Sequence, residues 1–123
     1  MADKVDNLLE KMTDELIFYT DEGIFSEQEI KKIVKHRRDQ EYQMQRKDAQ
    51  VTQFIDSIAF EKKLEKLKQA RKKNLAKVSK DFRHENAIKK RIIHLYDRAT
   101  RKYRQNKLIW KEYLYFLLTS DSL

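Results

Sequence analysis

The sequence predicts an all-α protein built from antiparallel helical hairpins. Three observations carry this prediction. The 123 residues include no proline and one glycine, the residues that most often interrupt helices. Glu, Lys, Arg, Gln, Leu and Ala, all good helix formers, dominate the chain. Apolar residues recur at helical spacing in five segments separated by only a few residues. Because short loops make consecutive helices antiparallel neighbours, the segments are expected to form a row of hairpins.

The first predicted helix runs from Asp3, which can cap it, to Tyr19. Its apolar stripe comprises Val5, Leu8, Leu9, Met12, Leu16 and Tyr19.

The segment "GIFSEQEIKKIV" predicts the end of this helix and the start of the next. Gly23 suits the left-handed position just past a helix end. Ser26 and Glu29 have the spacing of a capping box, and Phe25 and Ile30 are placed for a hydrophobic staple.

The second predicted helix extends from Glu27 to Lys47. Its apolar anchors are Ile30, Ile33 and Val34. The following stretch, "KHRRDQEYQMQRKD", is mostly polar, so that half is predicted to be exposed or covered by something else. Arg37 and Glu41 are four residues apart and are expected to pair on the helix surface.

The third predicted helix begins at an N-cap, Thr52, and continues to about Ser79. Its apolar residues are Phe54, Ile55, Ile58, Phe60, Leu64, Leu67, Leu75 and Val78. A fourth helix, capped by Ser79 or Asp81, carries Ile88, Ile92, Leu95, Tyr96, Ala99 and Tyr103.

The fifth predicted helix follows the short turn "RQNK" and is apolar on nearly every side. Its apolar residues are Leu108, Ile109, Trp110, Tyr113, Leu114, Tyr115, Phe116, Leu117 and Leu118. A helix of this kind belongs in a core, yet only "TSDSL" follows it. We therefore expect helix 108–118 to be covered by the rest of a longer protein, or alternatively by a partner, with the first favoured.

Charge divides the chain into an acidic start and a basic remainder. Residues 1–30 hold two lysines and nine carboxylates, a net charge of −7, whereas residues 62–107 hold eighteen Lys or Arg and four carboxylates, a net charge of +14. Nucleic acid or an acidic protein surface would be attracted to the basic part. A solvated helix face that keeps the chain soluble is the competing interpretation.

No catalytic or metal-binding pattern is present in the sequence. There is no cysteine, and no glycine-rich phosphate loop could be built from one glycine. His36, His84 and His94 lack metal-ligand spacing and are expected to be surface or packing residues. Carboxylate neighbours such as Asp14 and Glu15 are expected to be solvated. The chain is thus predicted not to be an enzyme, with no cofactor, metal, small-molecule substrate or membrane span.

The basic run "KKLEKLKQARKKNLAKVSK" is the candidate partner-binding segment. Arg71, Lys72 and Lys73 are expected to contact RNA phosphates or an acidic protein. The same role is expected of Lys89, Lys90, Arg91, Arg101, Lys102 and Arg104. The alternative is that these side chains form only the water-facing side of their helices.

Two stretches, "LYDRATRKY" and "LIWKEYLYFL", together resemble the half-a-tetratricopeptide (HAT) repeat, which is related to the tetratricopeptide repeat. The residues that carry the likeness are Tyr96, Asp97, Arg98 and Ala99 on one helix and Trp110, Tyr113 and Phe116 on the next. A fainter copy upstream has Phe54, Ser57, Phe60 and Glu61 at comparable steps. The resemblance implies a HAT-repeat α-solenoid in which these aromatics pack between hairpins and Ala99 allows close approach.

The order of segments along nearly the whole chain is similar to the N-terminal region of a family of HAT-repeat subunits of the small-subunit processome. This likeness implies a nucleolar, non-catalytic scaffold that supports pre-ribosomal RNA processing. Other processome proteins, and U3 small nucleolar RNA or pre-rRNA directly or indirectly, are the implied partners, and the missing C-terminal repeats would cover the last helix. Residues 1–80 would be an N-terminal helical region and residues 81–123 the start of the repeat array. A direct RNA-binding module and a helical adaptor unrelated to RNA are the alternatives.

Overall fold

A computed structural model describes residues 10, 12–75 and 83–120 of the chain. Within these residues there are five helices and no strand: α1 (Thr13–Asp21), α2 (Glu27–Gln45), α3 (Val51–Lys73), α4 (Ala87–Lys102) and α5 (Lys107–Thr119). The all-α prediction is confirmed. The part of the first predicted helix before Glu10, including its proposed cap, lies outside the described residues.

The turn between α1 and α2 has the predicted chemistry. Gly23 has a φ of 74°, the left-handed conformation expected just past a helix end. The Ser26 hydroxyl accepts a hydrogen bond from the Glu29 amide at 3.2 Å, and the Glu29 carboxylate accepts one from the Ser26 amide at 3.0 Å. This reciprocal pair is the predicted capping box. Phe25 is buried and Ile30 packs against the same core.

Each helix packs chiefly against its neighbours in sequence. Their antiparallel arrangement follows from contacts between helix ends. Arg71, near the end of α3, donates to the Ile24 carbonyl just before α2. Tyr103, just after α4, donates to the Ala49 carbonyl just before α3. Helices α2 and α3 are therefore antiparallel, and so are α3 and α4.

Several predicted helix boundaries are wrong. Thr52 is not the cap of α3, because the helix already begins at Val51 and the amide of the preceding Gln50 donates to the Gln53 side chain. The same helix ends at Lys73 rather than near Ser79. Helix α4 begins at Ala87, well after the proposed caps, which lie outside the described residues.

The buried face of α3 differs from the predicted apolar stripe. Ile55 and Leu67 belong to the apolar residues of the third predicted helix, yet they are 36% and 41% exposed. The face that is buried carries Phe54, Ser57, Ile58, Glu61, Leu64, Glu65 and Lys68. Those positions follow the helical repeat closely, so burial is continuous although the chemistry alternates between apolar and polar. Apolar residues alone therefore could not locate the buried face.

One face of the second half of α2 is buried by other helices of the chain, although this half was predicted to be exposed or covered by something else. Arg37, Glu41 and Met44 are each no more than 2% exposed. With Ile33, they form one face that extends the core along the helix. The charged side chains of Arg37 and Glu41 are tolerated there because each is paired with an opposite charge from another helix.

Candidate interaction surface

A buried guanidinium at the centre of the fold joins three helices. Arg37 of α2 is 1% exposed. Its Nε and Nη2 donate to the two carboxylate oxygens of Glu61 on α3, at 3.0 and 2.8 Å. Its Nη1 donates to Glu15 on α1, at 3.1 Å. The two carboxylates raise the pKa of Arg37 further above its already high ordinary value, against the opposing effect of burial.

This group extends to a fourth helix and to a tyrosine. Arg91 of α4 lies with its Nε 3.4 Å from Glu61, and desolvation lowers the pKa of its guanidinium. The Tyr19 hydroxyl donates to Glu15 at 3.1 Å. Burial and the neighbouring Glu15 charge raise the pKa of Tyr19 well above its usual value.

A second ion pair, between a buried glutamate and a partly exposed arginine, lies further along α2. Arg98 of α4 binds Glu41 through two parallel hydrogen bonds, at 2.8 and 2.7 Å. Gln45 donates to the same carboxylate at 3.1 Å. Burial by itself would raise the pKa of Glu41, but the hydrogen bonds and charge of Arg98 outweigh it, and the pKa is lowered.

These contacts correct two predictions. Arg37 and Glu41 do not pair with each other, since each binds a partner on another helix. Glu15 is not solvated, because it is 7% exposed and bound by Arg37. A shared buried face satisfies charges across helices, whereas the surface pairing expected from spacing alone would leave both groups in water.

The three glutamates and three arginines of this buried charge network balance in charge and come from α1, α2, α3 and α4. The network residues are Glu15, Arg37, Glu41, Glu61, Arg91 and Arg98. A shift of one helix along another would leave at least one buried charge without its partner, which is costly. The network therefore holds α4, and with it the hairpin α4–α5, at one position on the other helices.

The α4–α5 hairpin brings together part of the predicted packing set. Tyr96 stacks on Tyr113, with ring centroids 5.3 Å apart and an interplanar angle of 11°. Phe116 lies 5.7 Å from the same tyrosine ring. Ala99 is fully buried. Lys62 of α3 donates to the Tyr96 hydroxyl at 2.7 Å and ties the hairpin to the third helix.

The remaining members of that set lie elsewhere. Asp97 is half-exposed and pairs with Arg101 one turn later. Arg98 points to Glu41, as described above. Trp110 is 40% exposed, and its indole N–H donates to the Arg104 carbonyl. These three residues are not part of the aromatic cluster between the two helices.

One side of α5 is uncovered in the described structure. Ile109 is the only fully buried residue of this helix. Five large apolar side chains of α5 are exposed by 40% to 85%: Leu108, Trp110, Leu114, Tyr115 and Leu118. We refer to them as the α5 apolar face. The helix is positioned by Asn106, whose side chain accepts a hydrogen bond from the Ile109 amide.

Two of the three α3 cations predicted to contact a partner are engaged within the molecule. Arg71 pairs with Glu29 at 2.7 Å and also contacts the Ile24 carbonyl. Lys72 pairs with Glu85. Lys73 is exposed. Of the predicted α3 contacts, Lys73 is thus the residue most available to a partner.

Some candidate cations of α4 and the following turn are engaged within the molecule, and others are accessible to a partner. Arg91 belongs to the buried charge network, so little of it reaches the surface. Arg101 pairs with Asp97, and Lys102 donates to backbone carbonyls at the end of α2. The other three are accessible: Lys89 is half-exposed, and Lys90 and Arg104 are exposed.

Two of the three histidines make packing contacts. His36 stacks on Phe60 with ring centroids 3.7 Å apart, and His84 lies 5.2 Å from Phe18. His94 is exposed to solvent, and partial desolvation together with the charges of Arg98 and Arg91 lowers its pKa.

Among the described residues, no group of three or more His, Cys, Asp or Glu could hold a metal ion. None of the described helices combines the length and apolar character needed to cross a membrane.

Comparison with known proteins gives this architecture a family. The model of a family described as U3 small nucleolar RNA-associated protein 6 matches residues 9–107. The chain belongs to this family. The match covers α1 to α4 completely, so the helices that carry the buried charge network all lie within the U3 small nucleolar RNA-associated protein 6 family region.

Relatives within the family are similar along nearly the whole chain. The chain is 30% identical over 116 residues to "U3 small nucleolar RNA-associated protein 6" of Schizosaccharomyces pombe. It is 31% identical over 116 residues to the "U3 small nucleolar RNA-associated protein 6 homolog" of Homo sapiens. Each alignment covers 94% of this chain, but 24% of the S. pombe protein and 19% of the human protein. The chain therefore spans about a quarter to a fifth of the length of these relatives.

The buried charge network is the feature that sequence reasoning missed. A signal for it was present in α2. Ile33, Arg37, Glu41 and Met44 follow one another at steps of four, four and three residues, which is one helix face. Two charges that interrupt an apolar stripe at core positions indicate buried partners on neighbouring helices rather than the end of the core.

Proposed function

We propose that this chain is a non-catalytic scaffold module of the U3 small nucleolar ribonucleoprotein and the small-subunit processome. In this role it supports pre-rRNA processing and small ribosomal subunit assembly in the nucleolus. Family membership is the observation that carries the proposal. The names of the relatives associate them with U3 small nucleolar RNA. The helical hairpins supply rigid surfaces rather than a reaction centre.

The α5 apolar face is the proposed surface for the next structural unit. Helical repeats bury their apolar sides only against neighbours, so an uncovered apolar helix fits the end of one such unit. The relatives are much longer than the matched segment, and that additional length has room for further helices that would cover this face. We propose that a following helical hairpin of the family packs here, as in a HAT-repeat solenoid. Residues 81–123 would then begin the repeat array after an N-terminal region of residues 1–80.

Packing inside the α4–α5 hairpin supports this assignment. The stacked pair Tyr96 and Tyr113, together with Phe116, fills the space between the two helices. Ala99 presents a small side chain on the same side of α4. In the proposed array, Trp110 contributes from its exposed position to the contact with the next hairpin.

The experiment that tests the scaffold role introduces charge into the α5 apolar face of the full-length protein in cells. Leu114→Lys with Leu118→Lys is compared with Glu112→Lys, which places the same residue at an exposed polar position of the same helix. Purification through a tag on the protein is followed by quantification of U3 small nucleolar RNA. We expect the double variant to lose most of the co-purified RNA and the control to retain it. Equal RNA recovery from both would contradict the proposed role of this face.

Direct RNA binding is a second candidate, favoured by exposed cations. Lys73, Lys90 and Arg104 are exposed and make no ion pair with another described residue. Replacing all three by Gln is expected to weaken binding of a structured RNA and to reduce the slope of log affinity against log salt by about two to three. Gel shifts at two salt concentrations measure this. A slope equal to that of the unmodified chain would leave protein contacts as the basis of the scaffold role.

A further inference from the structure

Helices α1 and α2 line an apolar groove. These two helices come first in the chain, whereas α5 comes last. Its volume is about 580 Å³. Leu16, Ile17, Ile30 and Val34 are its apolar lining residues. Ile17 is 53% exposed, although Leu16 beside it is buried in the core. The groove thus combines a floor anchored in the core with an apolar wall that is open to water.

The rim of this groove is acidic. Glu10, Asp21 and Glu27 line it, with Lys31 as the single cation among the lining residues. Helix α1 carries no Lys or Arg at all. No ion pair links Asp21, Glu27 or Lys31 to another residue in the described ranges. The carboxylates of Asp21 and Glu27 are therefore available to an approaching positive charge.

The length of the groove wall matches a segment of helix. Helix α1 has nine residues and is about 14 Å long, which is the length of two to three helical turns. An amphipathic helix laid in such a groove contributes apolar anchors at steps of three and four residues, with its polar flanks at the two rims. Carboxylates on those rims favour Lys or Arg on the flanks.

We propose that the α1–α2 groove binds a basic amphipathic helix of a partner protein. Leucine or isoleucine side chains of the partner contact Ile17, Ile30 and Val34, and its Lys or Arg side chains approach Asp21 and Glu27. RNA does not suit this site, because its phosphates would meet carboxylates over an apolar surface. The partner is therefore a protein segment. The inference goes beyond the proposed function, since it concerns a surface distant in the chain from the α5 apolar face and the exposed cations.

The first nine residues of the chain are the competing occupant. Their sequence, MADKVDNLL, holds Lys4 against Asp3 and Asp6, a net side-chain charge of −1. Acidic side chains at an acidic rim are unfavourable, so charge complementarity favours an occupant from another protein over this segment.

The test measures binding of two designed peptides to the 123-residue chain by fluorescence anisotropy. Both peptides have 18 residues and share leucines at helical spacing, but the flanking positions are Lys in one and Glu in the other. We expect the Lys peptide to bind with a dissociation constant well below about 1 mM, and more weakly at higher salt. The Glu peptide is expected to bind at least tenfold more weakly.

Variants in the groove identify the site. Ile17→Ser is expected to weaken binding of the Lys peptide by about fivefold, since roughly half of an isoleucine side chain remains to be buried. Ile55→Ser makes the same substitution at an isoleucine of α3 that is 36% exposed; it is the control and is expected to leave binding unchanged. Circular dichroism confirms that both variants keep the helical content of the parent chain.

Charge reversal tests the acidic rim. Asp21→Lys with Glu27→Lys is expected to weaken the Lys peptide at least tenfold and to strengthen the Glu peptide. Asp39→Lys with Asp56→Lys, at exposed positions outside the groove, is the control for overall charge. Equal effects of the two double variants would overturn the proposal, because the attraction would then be non-specific.

The remaining occupants give distinct results. If residues 1–9 fill the groove, the chain binds neither peptide, and deletion of these residues allows both to bind. If the groove pairs with a second copy of the chain, sedimentation shows a dimer that Ile17→Ser dissociates. Either result, or absence of binding by every form up to about 1 mM, would overturn the proposal. None of these results alters the recovery of U3 RNA by the α5 variants, so the two proposals fail separately.

Discussion

Removal of the Arg37 guanidinium gives the most direct measure of how the helices are held together. Arg37→Ala leaves Glu61, whose side chain is 2% exposed, with only the longer contact to Arg91 at 3.4 Å. It also leaves Glu15, 9% exposed at its side chain, with one hydrogen bond from Tyr19. Two buried carboxylates thereby lose their principal partner.

The magnitude follows from the burial of those groups. Removing one member of a buried ion pair typically costs about 3–5 kcal/mol, because an uncompensated charge remains inside the protein. The truncated side chain also leaves a cavity, which adds to the cost. We expect Arg37→Ala to lower the free energy of unfolding by about 4 kcal/mol. That is a large share of the roughly 5–15 kcal/mol by which domains are stable.

Urea denaturation followed by circular dichroism at 222 nm measures this loss. With an m-value of about 2 kcal/mol per molar urea, the unfolding midpoint should fall by about 2 M. Arg38→Ala is the matched control, since Arg38 is the next residue on α2 and is exposed. Its effect is expected to stay within about 0.5 kcal/mol.

A compensating variant separates charge from packing. Arg37→Met combined with Glu61→Leu, Glu15→Gln and Arg91→Met removes these four buried charges together, including the Arg91 cation that Glu61 would otherwise leave unpaired, and replaces them with uncharged side chains of similar size. Such replacements are often neutral or stabilising, so we expect at least 2 kcal/mol of the loss to return. A cost below about 1 kcal/mol for Arg37→Ala, or no recovery in the compensated variant, would refute the assignment of Arg37 as the centre of the network.

Three further predictions concern the helix ends. The hydrogen bonds from Arg71 and the Ser26 amide lower the pKa of Glu29 to about 2. A carboxyl whose pKa is lower in the folded state stabilises the fold at pH values above its unfolded-state pKa, so this contribution should be lost as the pH falls from about 4.5 to about 2. An NMR titration that gives Glu29 a pKa near 4.5 would contradict this prediction. Gly23→Ala should cost about 1 kcal/mol in urea denaturation, since a side chain there meets no atom within 4 Å but must adopt a φ of 74°; an unchanged midpoint would show that the turn relaxes. Asn106→Ala should lower stability by about 1 kcal/mol through loss of the α5 cap, whereas Asn106→Ser should retain most of it in thermal unfolding.

Local chemistry was readable from the sequence where neighbours in the chain decide the structure. Ser26 and Glu29 lie three residues apart, which is the spacing of the capping box. Position 23 has a positive φ, and glycine is the residue that adopts a positive φ without strain. The apolar positions of α4 were likewise predicted, because nearly all of its buried residues are apolar and repeat at helical spacing. In each case the information lies within one or two helical turns.

The charged face of α2 could not be assigned from the sequence. Arg37 and Glu41 are spaced like an exposed pair on one helix, and the polar stretch around them reads as solvated. In the structure Arg37 binds Glu61, which is 24 residues away, and Glu41 binds Arg98, which is 57 residues away. No local pattern specifies such partners, since they meet only after the helices have packed.

The sequence by itself determined the all-helical class, the chemistry of the Gly23 turn and the apolar character of the last helix, because these depend on backbone preferences and on spacing along the chain. Tertiary structure alone decided which charges are buried, which cations remain accessible and where a groove opens between α1 and α2. Burial and partner choice depend on distances between residues remote in sequence, and the free energy of a charge depends on whether water or another helix surrounds it.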